Sequence, residues 1–221
     1  MDADGTAQYV FCVASKELTA SEMTVLALVT EEPVHGWALA SRLAKGGEIG
    51  TIWSLGRPLV YHALEHLEQE KLIRSVGLER GDRGPHRVVY AATAKGVKAV
   101  QAWLREPVEH VRDVRTLFLL KIVLSQRAGL DVEPLLVAQR AALMPLVGWL
   151  EAQLDDVDPV STPWEATLLY FRLETTQTIV RFIDGMLDDP GKRAVRGRAP
   201  ALIGAVFADT ATSARYERRR G

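Results

Sequence analysis

The sequence predicts a mainly α protein with one small β-hairpin, on three observations. Apolar residues recur at helical spacing along most of the chain. The period changes to two only over residues 72–79 and 85–93, on either side of a charged, glycine-rich turn. The order is three helical segments, then the hairpin, then helical patterns alone.

Each element has its own signal. Thr19-Ala20-Ser21-Glu22 has capping-box spacing, Met23, Leu26, Ala27 and Val29 follow with helical periodicity, and Glu31-Glu32-Pro33 ends the helix. A short second helix is expected over about 36–44, with Trp37, Leu39, Ala40 and Leu43 as its apolar positions and Gly46-Gly47 closing it. The third starts near Pro58, which suits a first helical turn because it has no N–H to leave unpaired, and continues to about Lys71. Two strands follow, joined by Arg80-Gly81-Asp82-Arg83-Gly84. Three helices and a charged hairpin are the order of a winged helix-turn-helix domain, expected over residues 17–106. Thr93 caps a fourth helix carrying Val97, Val100, Trp103 and Leu104, which is expected to bend or break at Pro107.

Residues 107–189 read as a helical dimerisation and effector domain. Val111, Val114, Phe118 and Ile122 mark one helix, and Leu136, Leu143 and Leu150 repeat every seven along a longer one that contains Pro145. Trp164, Leu168, Phe171, Thr175, Thr178 and Phe182 step by four and three along the last. Such a stripe is either core or a seam between two chains. Residues 1–16 read as an N-terminal arm with one apolar piece, YVFCV. The stretch 190–221 holds KRAVRGR and RYERRR around ALIGAVFA without a clean period, so disorder is the expectation there.

Composition excludes several classes. With 48% hydrophobic and 25% charged residues, the 221-residue chain looks globular. Cys12 is the only cysteine, which rules out internal disulfides and Cys-rich zinc modules and fits a reducing cytoplasm. The acidic start MDADGTAQYV lacks signal-peptide features, and no uncharged run approaches the roughly 20 residues that span a bilayer, so no membrane partner is expected. A net charge of -1 hides segregation. Residues 1–32 carry -5, 33–105 carry +5, 106–190 carry -7 and 191–221 carry +6. Only the second block combines folding patterns with positive charge, so an anionic partner belongs there. There is no G-x-S-x-G, phosphate-binding glycine loop or dinucleotide fingerprint, so no enzyme is expected.

His62-x-x-Glu65-His66 has the spacing of an inverted zinc-protease motif. On a 100-degree wheel Val60, Ala63, Leu64 and Leu67 share one direction, and His62, Glu65, His66 and Gln69 the opposite one. A catalytic zinc needs a third ligand and a sheltered cleft, which an outward face does not offer. No metal or cofactor is therefore expected, and the motif reads as the outer face of a helix. In a helix-turn-helix such a face enters the major groove with its N-terminal residues toward base edges, while a wing adds backbone contacts. The candidate DNA-binding residues are Arg57, Leu59, Tyr61 and His62 on the helix, and Arg80, Arg83, His86 and Arg87 on the wing. The competing reading is a winged-helix protein-interaction adapter.

The N-terminal two-thirds resembles the PadR family of bacterial transcriptional regulators. The matching pieces are LTASEMTVLALV (residues 18–29), Pro33-Val34-His35-Gly36-Trp37, Tyr61-x-x-Leu64-x-x-Leu67-Glu68 running to Leu72-Ile73, and GPHRVVY (84–90) with Thr93-x-x-Gly96. The resemblance implies a homodimeric repressor on a palindromic double-stranded DNA operator, relieved by a small hydrophobic or phenolic effector. It assigns Tyr61 to the recognition helix, and Arg87 and Tyr90 to the wing strand. Pro58 and His86 depart from the residues common in the family at their positions. Trp103, Trp149, Trp164 and Phe171 are the candidate effector-pocket residues, as flat apolar side chains on helices that could face one another.

Overall fold

The structure, a computed structural model, describes residues 18–79, 86–189 and 191. The elements run α1 (Ala20–Glu31), β1 (Val34–His35), α2 (Gly36–Leu43), α3 (Arg57–Gln69), β2 (Ile73–Glu79), β3 (Arg87–Ala92), α4 (Ala94–Trp103), α5 (Val111–Asp113), a π-helical turn Val114–Phe118, α6 (Leu119–Arg127), α7 (Glu133–Asp156) and α8 (Pro163–Asp188). The fold is a winged helix-turn-helix followed by a helical region. The expected N-terminal arm, the wing turn with Arg80 and Arg83, and all of the Arg-rich stretch except Gly191 lie outside the described residues.

The capping box forms as read. The Thr19 backbone N–H donates to Glu22 Oε2 at 2.7 Å, and the Glu22 N–H donates to Thr19 Oγ1 at 3.3 Å. From there α1 runs through the middle of the winged domain, packed by α3, α4, α6 and β3, so it is buried on every side and has no polar face. His35 caps α2, its Nδ1 accepting from the Ala38 N–H at 3.0 Å. α3 begins with Pro58 in its first turn and buries Val60, Ala63, Leu64 and Leu67, as the wheel predicts. Lys71, at φ 57, turns the chain from α3 into β2.

The sheet has three strands rather than the expected two, in the order β1-β3-β2, all antiparallel. Val34 pairs with Tyr90, and Ile73 with Ala92, and a bulge between Ser75 and Gly77 bends the wing. The start of α4 lies against the entry to β2. A Cβ on Gly96 would come within 2.2 Å of the Leu72 carbonyl oxygen, so this approach requires glycine.

After α4 the chain crosses to the helical region through residues 104–110, held at two points. Lys121 Nζ donates to the Glu106 carbonyl at 2.8 Å. Buried Gln139 takes both backbone groups of Val108, accepting from its N–H at 2.7 Å and donating to its carbonyl at 3.1 Å. α7 and α8 form an antiparallel pair, with Arg140 Nε donating to Asp184 Oδ1 at 2.7 Å, and α7 continues unbroken through Pro145. By length and composition α7 is apolar enough to cross a bilayer. Here it buries Leu135, Leu136, Gln139, Leu143, Val147 and Leu150, and packs on α8 and, through Gln139, on the linker. α6 serves both parts: Leu120 and Leu124 enter the winged core, while Phe118 on the turn before it and Ile122 enter the helical one.

Candidate nucleic-acid interface

The N-terminal half of α3 stands clear of the core. Arg57, Leu59, Tyr61 and His62 are all exposed, Leu59 and Tyr61 unusually so for their type at 55% and 42%. Tyr61 is seated on α2, where Gly36 leaves room for it: a Cβ there would lie 2.8 Å from Tyr61 Cε1. The helix-turn-helix pair is thus fixed at the point where its outward face begins. Farther along α3 the face turns acidic. Burial, with the charges of Glu68 and Glu65 and nearby Tyr61, raises the Tyr90 hydroxyl above its ordinary pKa, which places Tyr90 on the wing strand beside that acidic half. The end of α3 that can approach a polyanion is its N-terminal one.

The wing lies alongside. His86 is exposed at the start of β3, and Arg87 is half-buried with its guanidinium 4.8 Å from the Trp37 ring centre, a cation–π contact that aims it from α2. His35 Nε2 on β1 lies 3.7 Å from Glu79 Oε2 at the end of β2, across β3.

His66 corrects the wheel reading. It does not point outward with His62; its Nδ1 lies 2.6 Å from Glu22 Oε1, tying α3 to the start of α1. Burial would raise the Glu22 carboxyl, but hydrogen bonds from Thr19 and His66 hold it below its ordinary value. The wheel misses this because it knows a helix's own faces and not its neighbours. Among the described residues no group of three His, Cys, Asp or Glu side chains could hold a metal.

The four aromatic candidates do not converge. Trp149 and Phe171 line an open groove of about 1270 Å³ between the π turn, α7 and α8, together with Val114, Leu119, Leu146 and Phe182. Trp103 is instead packed on the winged core, with Lys121 Nζ 4.8 Å from its ring centre. Trp164, at the start of α8, is 70% exposed and outside the groove. The groove rim carries His110, Arg112, Arg115 and Arg172 against Glu109 and Glu174.

Fold and exposed helix define a winged helix-turn-helix protein. Residues 25–102 match the model of the transcriptional regulator PadR-like family. No curated protein matches the chain. Among solved structures it is similar to Bacillus subtilis PadR in complex with operator DNA, at 19% identity over 75% of this chain and 97% of that one, with a TM-score of 0.38. It is also similar to smu.1604c from Streptococcus mutans UA159 (16% identity, 76% and 98% of the two chains, TM-score 0.36). The PadR-like regulator BC1756 from Bacillus cereus gives 17% identity, 77% and 99% coverage and a TM-score of 0.35.

Proposed function

We propose that the chain is a homodimeric, sequence-specific DNA-binding repressor whose grip is released by a small hydrophobic effector. The observation that carries this reading is the exposed N-terminal face of α3, with Arg57, Tyr61 and His62 set on a helix whose other side is wholly committed to the core. Such a face, flanked by a wing, is shaped for a major groove, and Arg57 at the helix start, with Arg80, Arg83 and Arg87, supplies phosphate contacts.

Dimerisation is supported by α8. Trp164, Phe171 and Phe182 fall on one side of the helix, away from most of the residues it buries, and they and Leu168 are all exposed. An aromatic stripe of this kind is what a two-chain interface buries. Phe171 and Phe182 also edge the groove, so a partner seated on α8 would roof it and turn an open trough into an effector pocket.

Gel shift against the DNA upstream of its own gene, across a salt series, is the test. Specific binding with a steep negative salt slope is expected. His62→Ala should change which sequences are preferred, and Arg57→Ala should weaken all of them alike. Failure to bind any promoter fragment at low salt would sink the repressor and favour a protein-interaction adapter.

A further inference from the structure

Groove and helix-turn-helix are joined through α6, and at its far end by a charge cluster that DNA contact does not use. The π turn and Leu119 wall the groove. At the other end Arg127, the last residue of α6, forks onto Glu31: Nε donates to Oε1 and Nη2 to Oε2, each at 2.6 Å. Glu31 is the last residue of α1 and only 8% exposed. Its Oε2 also accepts from Arg42 Nη2 at 2.5 Å, and Arg42 lies in the last turn of α2, the helix that seats the recognition helix α3. Glu48, in the segment between α2 and α3, completes the cluster with an ion pair to Arg127 Nη1.

Two features make the cluster a linkage and not mere ballast. Glu31 is held ionised: burial would raise its carboxyl, but hydrogen bonds and charge from Arg127 and Arg42 keep it below the ordinary range. Withdrawing one guanidinium therefore throws the carboxylate onto the other. The network is also incompletely satisfied. Arg42 Nε is buried without a hydrogen bond, 3.4 Å from Glu48 Oε2. A partly satisfied buried network has a second arrangement within reach.

We propose that Arg127 is the positioning residue through which occupancy of the groove sets the attitude of α2, and with it of α3. This rests on the effector reading above and adds its route. A fork needs both oxygens in line, so a small shift or roll of α6 breaks one of its two bonds. Glu31 then follows Arg42, Arg42 Nε can close on Glu48, and the end of α2 moves relative to the groove-side helices. Because α6 also inserts Leu120 and Leu124 into the winged core, it cannot move without that core registering the change.

The test measures a ratio: DNA affinity of the full chain by fluorescence anisotropy, with and without saturating anilinonaphthalene sulfonate, an apolar anionic dye, as the groove probe. In the wild-type protein the dye should weaken DNA binding by about tenfold, and in Arg127→Met the ratio should fall to within about twofold of unity while dye and DNA each still bind. Arg127→Lys, which keeps the charge without the fork, should give an intermediate ratio and carries the test if Arg127→Met does not fold by circular dichroism. A folded variant that keeps the wild-type ratio, or a wild-type ratio of one despite dye binding, overturns the route. If the wild-type protein binds no DNA, or its groove binds no dye, it is the regulatory reading beneath the route that fails.

Discussion

α1 and α8 are both strongly apolar helices, yet they treat that character in opposite ways. α1 buries ten of its twelve residues, whereas α8 buries six of 26 and leaves Trp164, Leu168, Tyr170, Phe171 and Phe182 exposed. The winged domain thus builds its core within one chain, around α1, from α3, α4, α6 and the sheet. The helical region makes one good interface, α7 on α8, and keeps a second aromatic face unused. Large exposed apolar faces are rare on monomers, so the difference separates a part that buries its own core from a part whose aromatic side chains stay open.

Breaking the unfinished side should have the largest effect. Phe171→Glu is expected to raise the dimer dissociation constant by about a hundredfold or more, read by sedimentation velocity, without moving the winged domain's circular dichroism. Dimers of unchanged strength would return the α8 stripe to the status of solvated surface.

The junction between the two regions comes next. Burial, partly offset by Glu106, pushes the Lys121 ammonium down from 10.5 to about 8. Between those values the unfolded chain holds a proton that the folded chain has released, so raising the pH through this window stabilises the fold. Relative to Lys121→Met, the wild-type protein should gain up to about 3 kcal/mol between pH 8 and 10.5 in urea titrations. A constant difference across the window would mean that folding leaves the proton affinity of the Lys121 amine unchanged.

On the finished side the effects should be local and leave association alone. Gly96→Ala drives a methyl into the Leu72 carbonyl and should cost about 2 kcal/mol in thermal melts, with no change in dimer strength. Thr19→Ala removes the α1 cap and should cost about 1 kcal/mol. If either change weakened dimerisation, the two regions would not be as separate as their packing indicates.

Local signals in the sequence were enough to read most of the fold. Thr19 and Glu22 stand three apart, Pro58 marks a helix start, and the change of period at Leu72 marks the hairpin. Features that depend on distant partners were not legible. β1 is two residues long, too short to show any period, and exists because β3 has a free edge beside it. Lys71 carries a left-handed turn that glycine would have advertised. His66 meets Glu22 from 44 positions away, and Arg127 meets Glu31 from 96, so neither pair leaves a trace in local spacing. The α8 stripe was seen, but its periodicity is the same whether it faces a core or a second chain. In the candidate interface the exposed end of α3 was legible because one helix's own faces decide it.

The π turn at Val114–Phe118 has a further consequence, one of phase. A π turn takes up one residue more than an α turn, and each residue advances a helix by about 100°. Leu120 and Leu124 lie about 200° around the helix from Phe118 and Ile122, and each pair meets its own core only because the spiral arrives at the right angle. Losing a single residue here would offset everything downstream by a quarter-turn or more, so that neither face of α6 would meet its core. The angle between the winged domain and the helical region is therefore written in a residue count, and two chains differing only by that residue would hold α3 at different angles to α7 and α8.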